Sequence, residues 1–245
     1  MEPLVPQRPA RPSTFAAWLR DVTDALGQLF GSGIGVALSP IPVIAVILML
    51  TTQRGRVTGL AFMLGWLIGL AAATTIVLLV ANGADDAGST SADGAHIATL
   101  VVGLLFLALA ARQWRTRPTG DTVPELPAWM AGVDAFSTPK CFALGALLSG
   151  ANPKNLAMAV SAGVALAETG SSTGQKALGA AIFIVIGSLT VAGPVLGSLI
   201  APSRAAPALA EAKLWLGAHN STIMIVLFTV LGATKTGDGL ASILH

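Results

Sequence analysis

The sequence predicts an all-α integral membrane protein of six transmembrane helices, arranged as an inverted 3+3 repeat in which helices 1 and 4 are broken or kinked. Composition is the first reason. Hydrophobic residues make up 53% of the 245-residue chain and charged residues 11%, against roughly 25% charged in a soluble domain, too few to cover a water-soluble fold. The second is six apolar runs near the roughly 20 residues that cross a bilayer, at about 26–50, 57–82, 96–113, 141–167, 176–200 and 213–236, none of which contains an aspartate or glutamate. The third is a proline-containing polar break in the middle of the first run and of the fourth, at Ser39-Pro40 and Asn152-Pro153.

Residues 1–25 form an N-terminal tail. Within it Phe15, Trp18, Leu19 and Val22 recur at helical spacing and continue to Leu26 and Leu29, while Arg20, Asp21 and Asp24 fall on the other side. That pattern predicts an amphipathic helix lying in the membrane interface. No apolar core of a cleavable leader occurs before about Leu26, so the first run is expected to stay in the mature protein. Residues 26–113 hold the first three spans, 114–140 a cytoplasmic linker, and 141–240 the second three. The connections carry the turn and charge signals, in "TTQRGRVTG", "NGADDAGSTSADGA", "ETGSSTGQ" and "APSRAAPALAEA".

Lysine and arginine set the orientation. Arg54, Arg56, Arg112, Arg115, Arg117, Lys140, Arg204 and Lys213 fall on one side, which is therefore cytoplasmic. Arg8, Arg11, Arg20, Lys176 and Lys235 fall on the other, whose loop between spans 2 and 3 carries Asp85, Asp86 and Asp93 and no basic residue. A multi-pass protein of the plasma membrane with both termini outside is expected.

The halves resemble one another. Ser39-Pro40 corresponds to Asn152-Pro153, Gly65 to Gly187, and "LLFLALAA" (104–111) to "VLFTVLGA" (226–233). Three spans per half place the second half upside down relative to the first, a transporter architecture.

Lys154 stands at the centre of the fourth run, where a charge costs about 2.5–3.5 kcal/mol on insertion scales, so it must face protein or water. Pro153 removes a backbone donor and clashes with the carbonyl four residues earlier, breaking the helix. Asn152 and Asn155 can satisfy carbonyls freed there. Pro40 and Pro42 with Ser39 should open span 1 in the same way, so that two broken helices make one polar transport site of Ser39, Pro40, Pro42, Asn152, Pro153, Lys154 and Asn155. The glycines of the spans are expected to permit close helix packing. Lys154 and His219 are the titratable groups within the spans, and so the candidates for proton coupling.

Several classes drop out. A net charge of +2 with scattered basic residues does not suit nucleic acid. A single cysteine, Cys141, permits neither an internal disulfide nor a thiolate metal cluster. No GxxxxGK[ST] phosphate loop is present, so ATP hydrolysis is not expected. No enzymatic activity, cofactor or metal is expected.

The stretches "GVALSPIPVIAVILMLTTQRGRVTGLAFMLGWLIG", "LSGANPKNLAMAVSAG" and "WLGAHNSTIMIVLFTVLGATKTGDGL" resemble the glycolipid-addressing membrane proteins, the family that includes the sulfolipid-addressing protein, a branch of the lysine-exporter (LysE) superfamily. The likeness runs from about residue 26 to 240 and is most specific at the proline-rich turn of span 1 and at "NPKN" in span 4. It implies six spans, association with moving sugar- or peptide-bearing lipids toward the cell surface, and site positions at Ser39, Pro40, Pro42, Asn152, Pro153, Lys154 and Asn155. Disulfide-shuttling membrane proteins of similar architecture use a cysteine in span 1 and another in span 4, whereas here span 1 reads "LSPIPV" and Cys141 has no partner.

The expected function is export or flipping of an anionic (glyco)lipid. The alternatives are a LysE-like exporter of a small solute such as an amino acid, and a non-transporting scaffold of a lipid-export machine. Membrane lipids are the expected partners, with a homo-oligomer or an envelope-export partner left open.

Overall fold

In a computed structural model, residues 15–85, 90–117, 128–168 and 172–244 are described. They form eight α-helices, one 3-10 helix and no strand. Arg8 and Arg11 of the tail, Asp86 of the second connection and the middle of the 114–140 linker lie outside the described residues.

α1 (Phe15–Ala37) and α2 (Pro40–Leu50) are separated by Leu38 and Ser39 and meet at a bend of 52°. α1 runs without interruption from Phe15, so the segment read as lying in the interface is continuous with the start of span 1. α3 (Gly55–Asp85) and α4 (Thr90–Arg115) follow, and Asp93 falls inside α4. The chain next enters a 3-10 helix at Ala128–Ala135. α5 (Thr138–Gly150) and α6 (Pro153–Glu168) form the second broken pair, parted at Ala151 and Asn152. α7 (Thr173–Ile200) opens with a capping box between Ser172 and Gln175, which satisfies two amides that a helix start leaves orphaned. α8 (Pro202–Leu244) closes the fold with 43 residues.

Among the described residues, three stretches are long and apolar enough to cross a membrane, Gly55–Val80, Thr173–Ile200 and Pro202–Ala241, and the bent pair Leu26–Ala37 with Pro40–Leu50 makes a fourth. This is an all-helical membrane protein. The third and fourth predicted spans coincide in position with α4 and with the α5–α6 pair.

One boundary differs widely from the sequence reading. "APSRAAPALAEA" is the first three turns of α8 and not a loop. Pro202 stands at the helix start, where its missing N–H costs nothing, and alanine is the strongest helix former, so the stretch continues the helix despite Pro207. At about 1.5 Å per residue α8 is about 65 Å long, twice a bilayer core.

α3 lies along α5, α4 along α8, and α1 against α6 and α7. The α3–α5 contact is backbone to backbone. A Cβ on Gly65 would fall on the Phe142 carbonyl and one on Gly145 on the Phe62 carbonyl, so only glycine allows the approach. Leu29, Phe62, Trp66, Leu70, Met158 and Phe183 form the buried centre. The connections at one end converge. Thr51–Arg54 line one cavity with Pro202, Ala206 and Leu209, and a second with Val133, Ala135, Phe136 and Ser137.

Candidate functional site at the two helix breaks

The first break follows from proline chemistry. The residue before a proline is pushed out of the helical region, and Ser39 sits extended at φ −111°, ψ 99°. Pro40 is the first residue of α2, and Pro42, also buried, lies in its first turn. In an unbroken helix Ser39 N–H would donate to Gly35 and Ile41 N–H to Ala37. Instead Ser39 N–H donates to the Ala37 carbonyl at 2.8 Å, and the Gly35 carbonyl is released.

Two side chains from the second half of the chain fill the opening. Lys154 Nζ donates to the Gly35 carbonyl at 2.6 Å and to Ser39 Oγ at 2.5 Å. Thr190 Oγ1, from α7, donates to the Ala37 carbonyl at 2.7 Å. Ser39 makes no side-chain cap for α2; its hydroxyl serves the ammonium.

The second break is satisfied from within. Pro153 has no N–H for the Ser149 carbonyl, and Asn155 Nδ2 supplies one by reaching back to Leu148 O at 3.1 Å and Ser149 O at 3.2 Å. Asn152 works on the other side of the break. Its Oδ1 accepts the Lys154 N–H at 3.0 Å, and its own carbonyl accepts Leu156 N–H at 2.9 Å, which starts α6. The expectation that both asparagines satisfy freed carbonyls therefore holds for Asn155, whereas Asn152 caps amides. The Oδ1 of Asn155 is buried and has no hydrogen-bond partner.

Lys154 is 4% exposed. Its two acceptors are a carbonyl and a hydroxyl, both neutral. The end of α1 contributes the negative pole of a helix dipole, so among the described residues the ammonium is compensated by dipoles and not by a carboxylate. The N-terminus of α2 offers less to an anion than a half-helix ordinarily would, because Pro40 and Pro42 remove two of its free amide donors.

The structure thus joins Ser39 and Lys154 directly, places Pro40 beside them and Asn152 and Pro153 at the base of the lysine, and gives Asn155 to the neighbouring break. Pro42 lies buried in the first turn of α2. His219 lies elsewhere, exposed on α8, stacked on Trp215 at 4.6 Å with Nδ1 against the Trp215 carbonyl at 2.8 Å. Thr190 is the member that sequence reasoning missed.

No curated protein and no solved structure matches the chain. A family model, described as Sap, sulfolipid-1-addressing protein, matches residues 29–241 and so takes in both helix breaks and every residue around the Lys154 ammonium. The chain belongs to the sulfolipid-1-addressing protein (SfLAP) family.

Proposed function

We propose that this protein moves an anionic lipid across or out of the plasma membrane, with the Lys154 ammonium as the group that receives the charged headgroup. The observation that carries the reading is a lysine 4% exposed with only neutral oxygens beside it. A buried charge held by dipoles alone is costly, and an anion entering between the two breaks would supply the missing counter-charge. An ammonium has three donors, so one stays available beyond Gly35 and Ser39. The family's lipid-addressing description supports a lipid as the substrate class.

The six-span inverted repeat belongs to the same proposal, as does kinship with the wider lysine-exporter superfamily. The helix contacts support the repeat. Exchanging the halves turns α1–α7 into α5–α3, α2–α7 into α6–α3, α2–α3 into α6–α7 and α2–α8 into α6–α4, and each of these pairs is in contact. The contacts α3–α7 and α4–α8 map onto themselves. Phe106 and Phe228, which correspond in the aligned "LLFLALAA" and "VLFTVLGA", stack on each other at 5.7 Å across α4 and α8. Gly187 of α7 lies against the Val36 side chain of α1, and its counterpart Gly65 of α3 lies against the Phe142 backbone of α5. The α1–α6 and α7–α8 contacts have no counterpart of similar extent.

The test is lipid translocation by reconstituted protein at several pH values, with wild type, Lys154→Met and Lys154→Arg in parallel. The Met variant keeps much of the length and loses the charge, so translocation should fall by at least about tenfold, the scale of a lost charge-assisted contact. The Arg variant should keep part of the activity, since guanidinium pairs with phosphate or sulfate. Because arginine holds its proton, loss of pH dependence in that variant would assign a protonation cycle to Lys154. Wild-type rates in the Met variant would remove the headgroup role.

A further inference from the structure

A cavity of about 760 Å³ opens between α1 and α8, beside the first helix break. Its walls are Ile34 and Leu38 on one side and Ile223, Val226, Val230 and Leu231 on the other. We propose that this groove holds an acyl chain of a bilayer lipid, alongside the Lys154 site.

Three observations select that occupant. The first is length. The cavity runs along α8 from Trp215 and His219 to Lys235 and Asp238. The rise is about 24 Å between His219 and Lys235 and about 35 Å between Trp215 and Asp238, which brackets a hydrocarbon layer of about 30 Å. The second is polarity. One end carries the Trp215–His219 stack and the other the Lys235–Asp238 ion pair at 3.4 Å, with a mostly apolar stretch between, the profile of a bilayer from interface to interface. Between those ends apolar side chains dominate the lining, with Gln28, Ser32 and Thr222 as isolated polar groups, a surface better matched to hydrocarbon than to a small polar solute.

The third is continuity with the site. Gly35 lines the groove, and its carbonyl accepts the Lys154 hydrogen bond. Met158, one turn beyond Lys154 on α6, lines it too. A headgroup drawn to the ammonium would leave its chain in the groove. The inference rests on the lipid reading above for the class of substrate, and not on translocation.

The floor of the groove also supplies the test. Gly27, Gly31 and Gly35 stand one turn apart on the same face of α1. Glycine in a helix costs roughly 1 kcal/mol relative to alanine, and close packing does not account for Gly27 and Gly31, since a Cβ on either would meet nothing within 4 Å. Gly31→Leu should therefore fold well and fill the groove. Gly193→Leu, also in open space but on α7, serves as the control.

The full chain is reconstituted in vesicles of an anionic phospholipid containing a trace of the same lipid with a photoactivatable diazirine in its acyl chain. After irradiation the labelled peptides are mapped. Labelling should concentrate on residues 26–38 and 223–234, fall about tenfold in Gly31→Leu, on the scale of overfilling an apolar site, and stay at the wild-type level in Gly193→Leu. Labels spread evenly over the exposed faces of α3 and α7, or undiminished by Gly31→Leu, would overturn the proposal. So would a groove that carries no lipid label in the wild-type protein. Lys154→Met separates the two readings: groove labelling that persists while translocation is normal leaves the acyl site standing and removes the headgroup role, and labelling lost only in Gly31→Leu supports the groove whatever Lys154 does.

Discussion

Ser39, Lys154 and Thr190 do for α1 what water does at the end of a soluble helix. In a bilayer an unpaired carbonyl has no solvent to turn to, so a break persists only where side chains reach it. Lys154 could be singled out in the sequence because a charge in an apolar run is costly. Thr190 could not, because a threonine in a membrane helix ordinarily satisfies itself. Thr58, Thr74 and Thr234 each donate to a carbonyl within their own helix, whereas Thr190 crosses from α7 to Ala37, and nothing in the local sequence separates the two behaviours. Thr190→Val, which preserves shape, should lower resistance to unfolding in detergent by about 1 kcal/mol, the usual scale of an interhelical hydrogen bond in a membrane protein. Ser39→Ala should cost a similar amount and also loosen the ammonium, so its effect on translocation should exceed that of Thr190→Val. Equal losses in both assays would reduce Ser39 to a structural contact.

At the scale of elements, both breaks were legible, whereas their repair was legible only at the second, where Asn155 reaches back to the freed carbonyl as expected. Ser39-Pro40 and Asn152-Pro153 announce themselves because proline removes a donor and restricts the residue before it. Which side chains fill the gap depends on how the halves pack, and Lys154 answers the break in the opposite half while Asn155 answers its own. The start of α8 misled for the converse reason. Pro202, Arg204 and Pro207 read as loop signals, yet one proline occupies the helix start and alanines carry the rest. Pro153→Ala restores an N–H within reach of the Ser149 carbonyl and competes with Asn155. α5 and α6 should then tend toward one continuous helix, rotating Lys154 away from Gly35. Translocation should drop while helical content measured by circular dichroism holds or rises slightly. Normal translocation with unchanged helicity would assign Pro153 to packing alone.

For the whole molecule the open quantity is which end faces the cytoplasm, and the fold changes how it should be measured. Cys141, the natural thiol, is fully buried on α5, so it gives no useful label from either side. The connections themselves are better reporters. Thr51–Arg54, the segment after the 3-10 helix and the start of α8 come together at one end, lining shared cavities. That end carries Arg54, Arg56, Lys140 and Arg204, all exposed, and on the rule that positive charge stays inside we propose that it is cytoplasmic. The opposite end carries Gly174, exposed at the start of α7. In a Cys141→Ala background, Gln53→Cys should react with a membrane-impermeant thiol reagent in inside-out vesicles and not in intact cells. Gly174→Cys should do the reverse. Both positions lie outside the breaks and the groove, so neither substitution should disturb the machinery. If Gln53→Cys reacts in intact cells, the molecule is inverted, and the direction of the lipid transport proposed for the Lys154 site is inverted with it.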